Sequence, residues 1–84
     1  MNRLGFLILS VLERSEADSK AAAMTAIEMS EVEYFGYKPN TIFKRFVELE
    51  KKEYVAQGYK DGKAKTFYIT ERGKEFLKNE WKRG

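Results

Sequence analysis

The sequence predicts a mainly α-helical fold with one small antiparallel β-hairpin, an α+β arrangement. Apolar residues recur with helical spacing in four segments, and one further segment alternates apolar and polar residues around an Asp-Gly pair. The predicted order is helix, helix, helix, hairpin, helix. With 84 residues the chain is long enough for one small domain, which we expect to span residues 1–84.

The first two helices are predicted from different signals. Residues 3–14 are apolar on almost every side, which is typical of a helix that lies centrally or is shared with a second copy. Asp18 and Ser19 are good N-caps, because their side-chain oxygens can accept hydrogen bonds from free helix amides. A second helix is therefore expected from there to about Ser30, with Ile27 as its larger core contact.

A third helix is predicted over residues 39–52, since Pro39 suits the first helical position. Its apolar stripe comprises Ile42, Phe43, Phe46, Val47 and Leu49. The N-terminal half of this helix instead gathers polar and basic residues, which are Lys38, Asn40, Thr41, Lys44 and Arg45. Cations at the positive end of a helix cost a few tenths of a kcal/mol, whereas a bound phosphate would make the same arrangement favourable.

The second half of the chain continues with a hairpin and a last helix. The hairpin is predicted over residues 54–69, with Asp61-Gly62 at its tip. Thr70 can cap the last helix, whose apolar side carries Phe76, Leu77 and Trp81. Gly73 is an unfavourable residue inside that helix, by about 1 kcal/mol relative to alanine.

The composition argues against several classes of function. The chain has no cysteine and no histidine, which removes disulfides, thiolate chemistry, the usual metal ligand and the usual general base. We therefore expect no enzyme activity, no metal site and no cofactor, and we interpret the acidic clusters as solvated helix faces. The apolar run near residue 4 is shorter than the ~20 residues that span a bilayer, and charged residues follow it, so neither a membrane segment nor a signal peptide is expected.

The charge is distributed unevenly along the chain. Residues 1–33 carry three basic residues against six acidic ones, whereas residues 34–84 carry 13 basic residues against seven acidic ones. A positive field in the later half predicts that a polyanion would be met there.

The segments NTIFKRFVELEKKEYV and GYKDGKAKTFYITERGKEFL resemble the winged helix-turn-helix family of bacterial transcriptional regulators, near the PadR and MarR kinds. In that family a recognition helix precedes a basic hairpin, the wing, and an apolar-Thr-x-x-Gly segment then opens the next helix. Here that segment is Ile69 to Gly73, and the resemblance covers about residues 4–81. The sequence departs from the family twice. Glu53 stands where a glycine usually makes the turn, and EVEYFGYK is longer and more acidic than the usual turn between the two helices.

The resemblance implies that the 39–52 helix enters the DNA major groove by its N-terminal end, while the wing contacts the backbone or the minor groove. The residues expected to bind DNA are Lys38, Asn40, Thr41, Lys44, Arg45, Lys60, Lys63 and Lys65. Arg45 could form a forked contact with a guanine, and Asn40 with an adenine. A homodimer is expected through the first helix, through Phe76, Leu77 and Trp81 of the last helix, or through both. Such a regulator, a repressor in this interpretation, would lie with the nucleoid in the bacterial cytoplasm.

The basic and aromatic residues also have interpretations that involve no DNA. The cations of the third helix can be solvated residues without a partner, and lysines on a hairpin can protect an exposed strand edge. Tyr34, Phe35 and Tyr37 can cover the edge of the core rather than stack on bases. The whole fold can also serve as a protein–protein interaction module in a replication or mobile-element complex. The acidic first half of the chain favours that alternative slightly.

Overall fold

The computed structural model describes residues 3–32 and 36–83, the last three of them by backbone only. Within these ranges the elements are α1 (Arg3–Arg14), α2 (Ala26–Val32), α3 (Pro39–Lys51), β1 (Val55–Gln57), β2 (Phe67–Ile69) and α4 (Glu71–Arg83). The strands pair antiparallel, with Val55 opposite Ile69. This architecture confirms the predicted fold class and the predicted order of elements.

The core lies between α1, α3 and the hairpin. Leu9 and Leu12 of α1 and Phe46 of α3 are fully buried. The Phe46 ring stacks on Phe67 of β2, with ring centroids 4.5 Å apart and planes 16° apart. The central position predicted for the first helix is confirmed, because α1 contacts α3, α4 and β2.

The predicted start of the second helix is wrong, because α2 begins at Ala26 rather than after Asp18 or Ser19. Thr25 and Glu28 form a reciprocal capping box at this point. The Glu28 N–H donates to Thr25 Oγ1 at 3.0 Å, and the Thr25 N–H donates to Glu28 Oε1 at 2.9 Å. Ser19 instead accepts a 3.3 Å hydrogen bond from the Ala22 N–H within a local turn.

The chain pairs with the hairpin at Met24, just before α2. Met24 and Phe67 exchange two backbone hydrogen bonds, each 2.8 Å long. Strand β2 is therefore paired on both of its edges at Phe67, by Met24 on one side and by Gln57 of β1 on the other. This pairing excludes a helix there, and it supports a hairpin that would be marginal alone.

The residues of α2 that face the core also differ from the prediction. Ile27 was expected to be the larger core contact, but its side chain is 58% exposed and that expectation is wrong. Met29 is fully buried in its place. In α3 the buried stripe is narrower than predicted, because Phe43 is 36% exposed and Val47 is half-buried.

The end of α3 is a Schellman motif built around Glu53. The Tyr54 N–H donates to the Leu49 carbonyl at 3.0 Å, and the Glu53 N–H donates to the Glu50 carbonyl at 2.9 Å. Glu53 has a φ of 66°, in the left-handed region where glycine is favoured. The bend expected at this non-glycine residue is therefore present. Helix α1 ends in the same motif, with Glu16 at a φ of 56°.

We expect Glu16→Gly and Glu53→Gly each to raise the free energy of unfolding by about 0.5–1 kcal/mol. The left-handed conformation costs a non-glycine residue about 1–2 kcal/mol, and glycine removes this cost. The greater freedom of glycine in the unfolded chain cancels only about 0.5–1 kcal/mol of the resulting stabilisation. Urea unfolding would show a higher midpoint with an unchanged slope. Glu53→Ala removes the same carboxylate and keeps the strained φ, so a gain as large as that of Glu53→Gly would contradict the backbone explanation.

Among residues 3–32 and 36–83, no helix combines the length and the apolar character that crossing a bilayer requires. Acidic side chains within the same ranges form no cluster of three or more that could hold a metal ion.

Candidate nucleic-acid interface

The N-terminal half of α3 presents one side to the core and the other to solvent. Ile42 and Phe46 are fully buried on the inner side. Lys38, the N-cap residue, is extended, and its side chain makes no capping hydrogen bond. Lys38, Asn40 and Lys44 are exposed. Their side chains are therefore placed where a ligand at the start of α3 would meet them.

The wing ends in a tight turn that carries the second group of predicted residues. Asp61 and Ala64 exchange two backbone hydrogen bonds of 3.0 Å, so Gly62 and Lys63 are the central residues of the turn. The tip therefore lies one residue later than the predicted Asp61-Gly62 pair. Gly62 has a φ of 63°, which suits a hairpin turn whose first central residue is glycine. Lys60, Lys63 and Lys65 are all exposed on this wing.

The base of the wing is anchored to the segment before α2. The Tyr59 N–H donates to the Lys20 carbonyl at 3.1 Å. The Thr66 hydroxyl, which is buried, donates to the Tyr59 carbonyl at 2.6 Å. These contacts, with the Met24–Phe67 bridge, determine where the wing stands relative to the helices. Lys20 thus contributes its carbonyl to the fold, while its exposed side chain remains at the surface.

A groove of about 380 Å³ lies where the beginnings of α2 and α3 meet the wing tip. Asn40 and Phe43 line it from α3, Lys63 and Lys65 line it from the wing, and Ile27 lines it from α2. We call this space the α3–wing groove. It brings together three of the predicted DNA-binding residues, which are far apart in the sequence: Asn40, Lys63 and Lys65.

Arg45 lies on the other flank of α3, about 140° around the helix axis from Asn40. Its Nη1 donates to Glu48 Oε2 at 2.5 Å, and its side chain is 27% exposed. Its Nε is buried without a hydrogen-bond partner. Thr41 is half-buried one turn earlier on the same flank. The structure therefore does not bring Arg45 or Thr41 to the α3–wing groove.

A second cavity, of about 390 Å³, lies between α1 and α4 and carries charges of both signs. Lys74 is among its lining residues, and its Nζ contacts the Asp18 carboxylate at 2.9 Å. The hydrogen bond from Lys74 lowers the pKa of Asp18, and the same hydrogen bond raises the pKa of Lys74. This ion pair connects the segment before α2 to α4, and it commits Lys74 to a partner within the chain.

The residues predicted for a dimer contact mainly pack against other residues of the same chain. Leu77 is buried in the core at 5% exposure, and Phe76 stacks on Tyr54 with ring centroids 4.9 Å apart. The side chain of Trp81 lies outside the described residues. In α1, Phe6 and Leu7 are half-buried, and the other apolar side chains are buried.

The turn between α2 and α3 is described only at its ends. Glu33, Tyr34 and Phe35 lie outside the described residues. Glu31 is exposed, and Tyr37, the third member of the aromatic cluster, is 45% exposed.

Helices α2 and α3, the β1–β2 wing and the flanking α1 and α4 form a winged helix-turn-helix fold. The chain is similar to a solved structure, "TubR from Bacillus megaterium pBM400", with a TM-score of 0.73. The two sequences are 21% identical, and the match covers 89% of this chain and 80% of that chain. This likeness shows the fold. No protein-family model and no curated protein matches the sequence.

Proposed function

We propose that this chain binds double-stranded DNA as a transcriptional regulator. In this proposal α3 enters the major groove by its N-terminal end, and the wing, residues 54–69, contacts the DNA backbone or the adjacent minor groove. The observation that carries the proposal is the α3–wing groove, in which Asn40 stands beside Lys63 and Lys65. A duplex presents base edges next to phosphates. Asn40 of α3 could contact the base edges while Lys63 and Lys65 of the wing contact the phosphates.

The electrostatics of α3 support the same proposal. The first turn of α3 contains no acidic residue. No negative charge therefore offsets the positive end of the helix dipole, and this end adds to the charges of Lys38 and Lys44. A phosphate placed here would interact favourably with the positive end of the helix dipole and with both cations. Glu48 is the first acidic residue of α3, and its carboxylate forms an ion pair with Arg45.

A repressor that acts as a homodimer is the finer form of this proposal. Two copies on a palindrome would place their α3 helices about 34 Å apart, which raises affinity and specificity together. Among the side chains that the structure describes, Phe6 and Leu7 of α1 and Phe76 of α4 are half-buried and apolar, so a second copy could cover them further. Kinship with the PadR and MarR kinds of regulator, suggested by the segment from Ile69 to Gly73, belongs to the same proposal.

The alternative function is a winged-helix module that binds another protein in a replication or mobile-element complex. Two exposed apolar residues next to the turn between α2 and α3 support it, since Val32 is 56% exposed and Tyr37 is 45% exposed. The DNA-binding proposal gives neither residue a role. An apolar contact of this kind would depend only weakly on salt.

Selection from a random duplex library at physiological salt, followed by salt titration of the selected duplex, separates the two functions. DNA binding should weaken with a slope of about −0.9 in log K per log salt for each phosphate neutralised. The mass of the complex, measured on the same samples, would show whether one or two copies bind. Failure to bind any duplex at low salt would contradict the proposed function.

Arg45→Ala should weaken binding to the selected duplex by about 1–3 kcal/mol and relax the preference at one base position, if Arg45 contacts a guanine. Competition between the selected duplex and single-base variants measures both effects. Lys52→Ala, at the far end of α3, is the matched control. If the Arg45→Ala protein keeps the parent's affinity and base preference, Arg45 does not contact the DNA.

Glu48→Gln is the reciprocal variant of this prediction. Arg45 is held by Glu48 in the free chain, so a guanine contact requires that exposed ion pair to open. Removal of the carboxylate charge should strengthen duplex binding about two- to fivefold, the equivalent of one exposed ion pair. Unchanged binding in Glu48→Gln would indicate that Arg45 stays paired in the complex.

A further inference from the structure

Two large apolar side chains line the α3–wing groove and remain exposed to solvent. Ile27 is 58% exposed and Phe43 is 36% exposed. Single exposed apolar residues are ordinary on a protein surface, but two that face one groove indicate a binding contact.

Both side chains are held in place by the fold. The Phe43 ring contacts Phe67 edge to face, with centroids 5.9 Å apart and planes at 68°. Phe67 is itself fully buried and bridged to Met24. Ile27 stands in the first turn of α2, between the capping-box residues Thr25 and Glu28, and its branched side chain is stiff at χ1. The groove therefore presents an apolar surface that is arranged before any ligand arrives.

The polar residues around this apolar surface restrict what can occupy it. Asn40 lies one turn before Phe43 on the same side of α3 and offers an amide. Lys63 and Lys65 supply positive charge from the wing. A matching ligand is anionic towards the wing and presents polar edges and an apolar group towards α3. The major groove of a duplex has all three features, and its apolar group is the C5-methyl of thymine.

Resting on the DNA binding proposed above, we propose that Phe43 and Ile27 form a contact site for thymine methyl groups. The site would make the chain prefer A·T pairs at the one or two positions that face the α3–wing groove. Phe43 and Ile27 would then determine specificity, while Lys63 and Lys65 supply affinity that does not depend on sequence.

The test replaces each thymidine of the selected duplex, one at a time, by deoxyuridine, which keeps base pairing and lacks the methyl group. The parent protein should lose affinity about fourfold at one or two positions, which corresponds to ~0.8 kcal/mol for one buried methyl group. Phe43→Ala and Ile27→Ala should each abolish the loss at the position that the substituted residue contacts, as a double-mutant cycle would show. Tyr59→Ala is the matched control, because Tyr59 is 67% exposed and does not line the groove.

Two results would overturn the methyl contact and leave DNA binding standing. In one, the parent binds its selected duplex and every deoxyuridine substitution leaves the affinity unchanged, as expected if the groove instead binds an apolar side chain of a partner protein. In the other, both alanine variants keep the full loss at the same positions. Ile27→Ala decides the question if Phe43→Ala fails to fold, and Phe43→Leu should retain the loss. A parent protein that binds no duplex overturns the proposed function and this inference with it.

Discussion

Replacing Lys63 and Lys65 together by glutamine should weaken binding to every duplex by about 10- to 100-fold near 0.1 M salt. Both lysines are exposed, and both line the α3–wing groove from the wing. Phosphate contacts carry no sequence information, so the selected duplex and unrelated duplexes should lose affinity alike. The slope of log K against log salt should fall in magnitude by about 1.8, since two phosphate contacts are removed. Fluorescence anisotropy over a series of salt concentrations measures both quantities.

The matched control replaces Lys52 and Lys78 by glutamine, which changes the net charge by the same amount. Lys52 caps the far end of α3, and Lys78 lies on α4 beside the second cavity. Neither residue lines the α3–wing groove. The control pair should change affinity by less than about threefold, through the long-range field alone. Equal losses in the two double variants would show that the wing has no particular role in binding.

Gly73→Ala should lower the free energy of unfolding by about 1–3 kcal/mol, although alanine is the better helix former by about 1 kcal/mol. A Cβ at this position would lie 2.3 Å from the Tyr54 carbonyl oxygen and 2.8 Å from Ile69 Cγ1. The oxygen belongs to the backbone and accepts a 3.0 Å hydrogen bond from the Thr70 N–H. It cannot move aside as a flexible side chain would, so α4 must shift away from the end of α3.

Urea or thermal unfolding of Gly73→Ala tests this prediction directly. A chain of this length has a total stability of only about 4–13 kcal/mol, so the variant should be close to unfolding at moderate temperature. Asn79→Ala, at an exposed position of the same helix, should instead be neutral or slightly stabilising. A Gly73→Ala protein as stable as the parent would show that α4 packs less closely on Tyr54 than the structure has it.

The sequence predicted α1, α3, the hairpin and α4 because their signals are local. Apolar spacing marks the helices, and the turn residues around Gly62 mark the hairpin. Thr70 acts as the predicted cap of α4, since its Oγ1 accepts a 3.1 Å hydrogen bond from the Gly73 N–H. The cost of Gly73 was also predicted, whereas the reason for a glycine at this position, the approach of Tyr54, required the tertiary structure.

The start of α2 could not be decided by caps alone. Asp18, Ser19 and Thr25 all have side chains that favour the N-cap position. The choice among them depends on the bridge between Met24 and Phe67, a contact between distant parts of the chain that no local preference contains. The Thr25-x-x-Glu28 spacing of a capping box was the one local signal that identified the correct start.

The basic residues of the candidate site are evident in the sequence, whereas their arrangement in space is not. Clustered cations predicted a polyanion surface, and the structure places Lys63 and Lys65 beside Asn40. The pairing of Arg45 with Glu48 also follows from their spacing of three residues along a helix. The exposure of Ile27 and Phe43 did not follow, because it depends on the start of α2 and on the angle at which the wing meets α3.

Thr70 links the end of α3 to the start of α4 through its side chain. Its hydroxyl donates to the Glu53 carbonyl at 2.6 Å, directly after α3, while its Oγ1 also caps α4. Because one side chain makes both contacts, the first turn of α4 is fixed to the bend that ends α3. Displacing the start of α4 would therefore either break the contact with Glu53 or move the end of α3 with it.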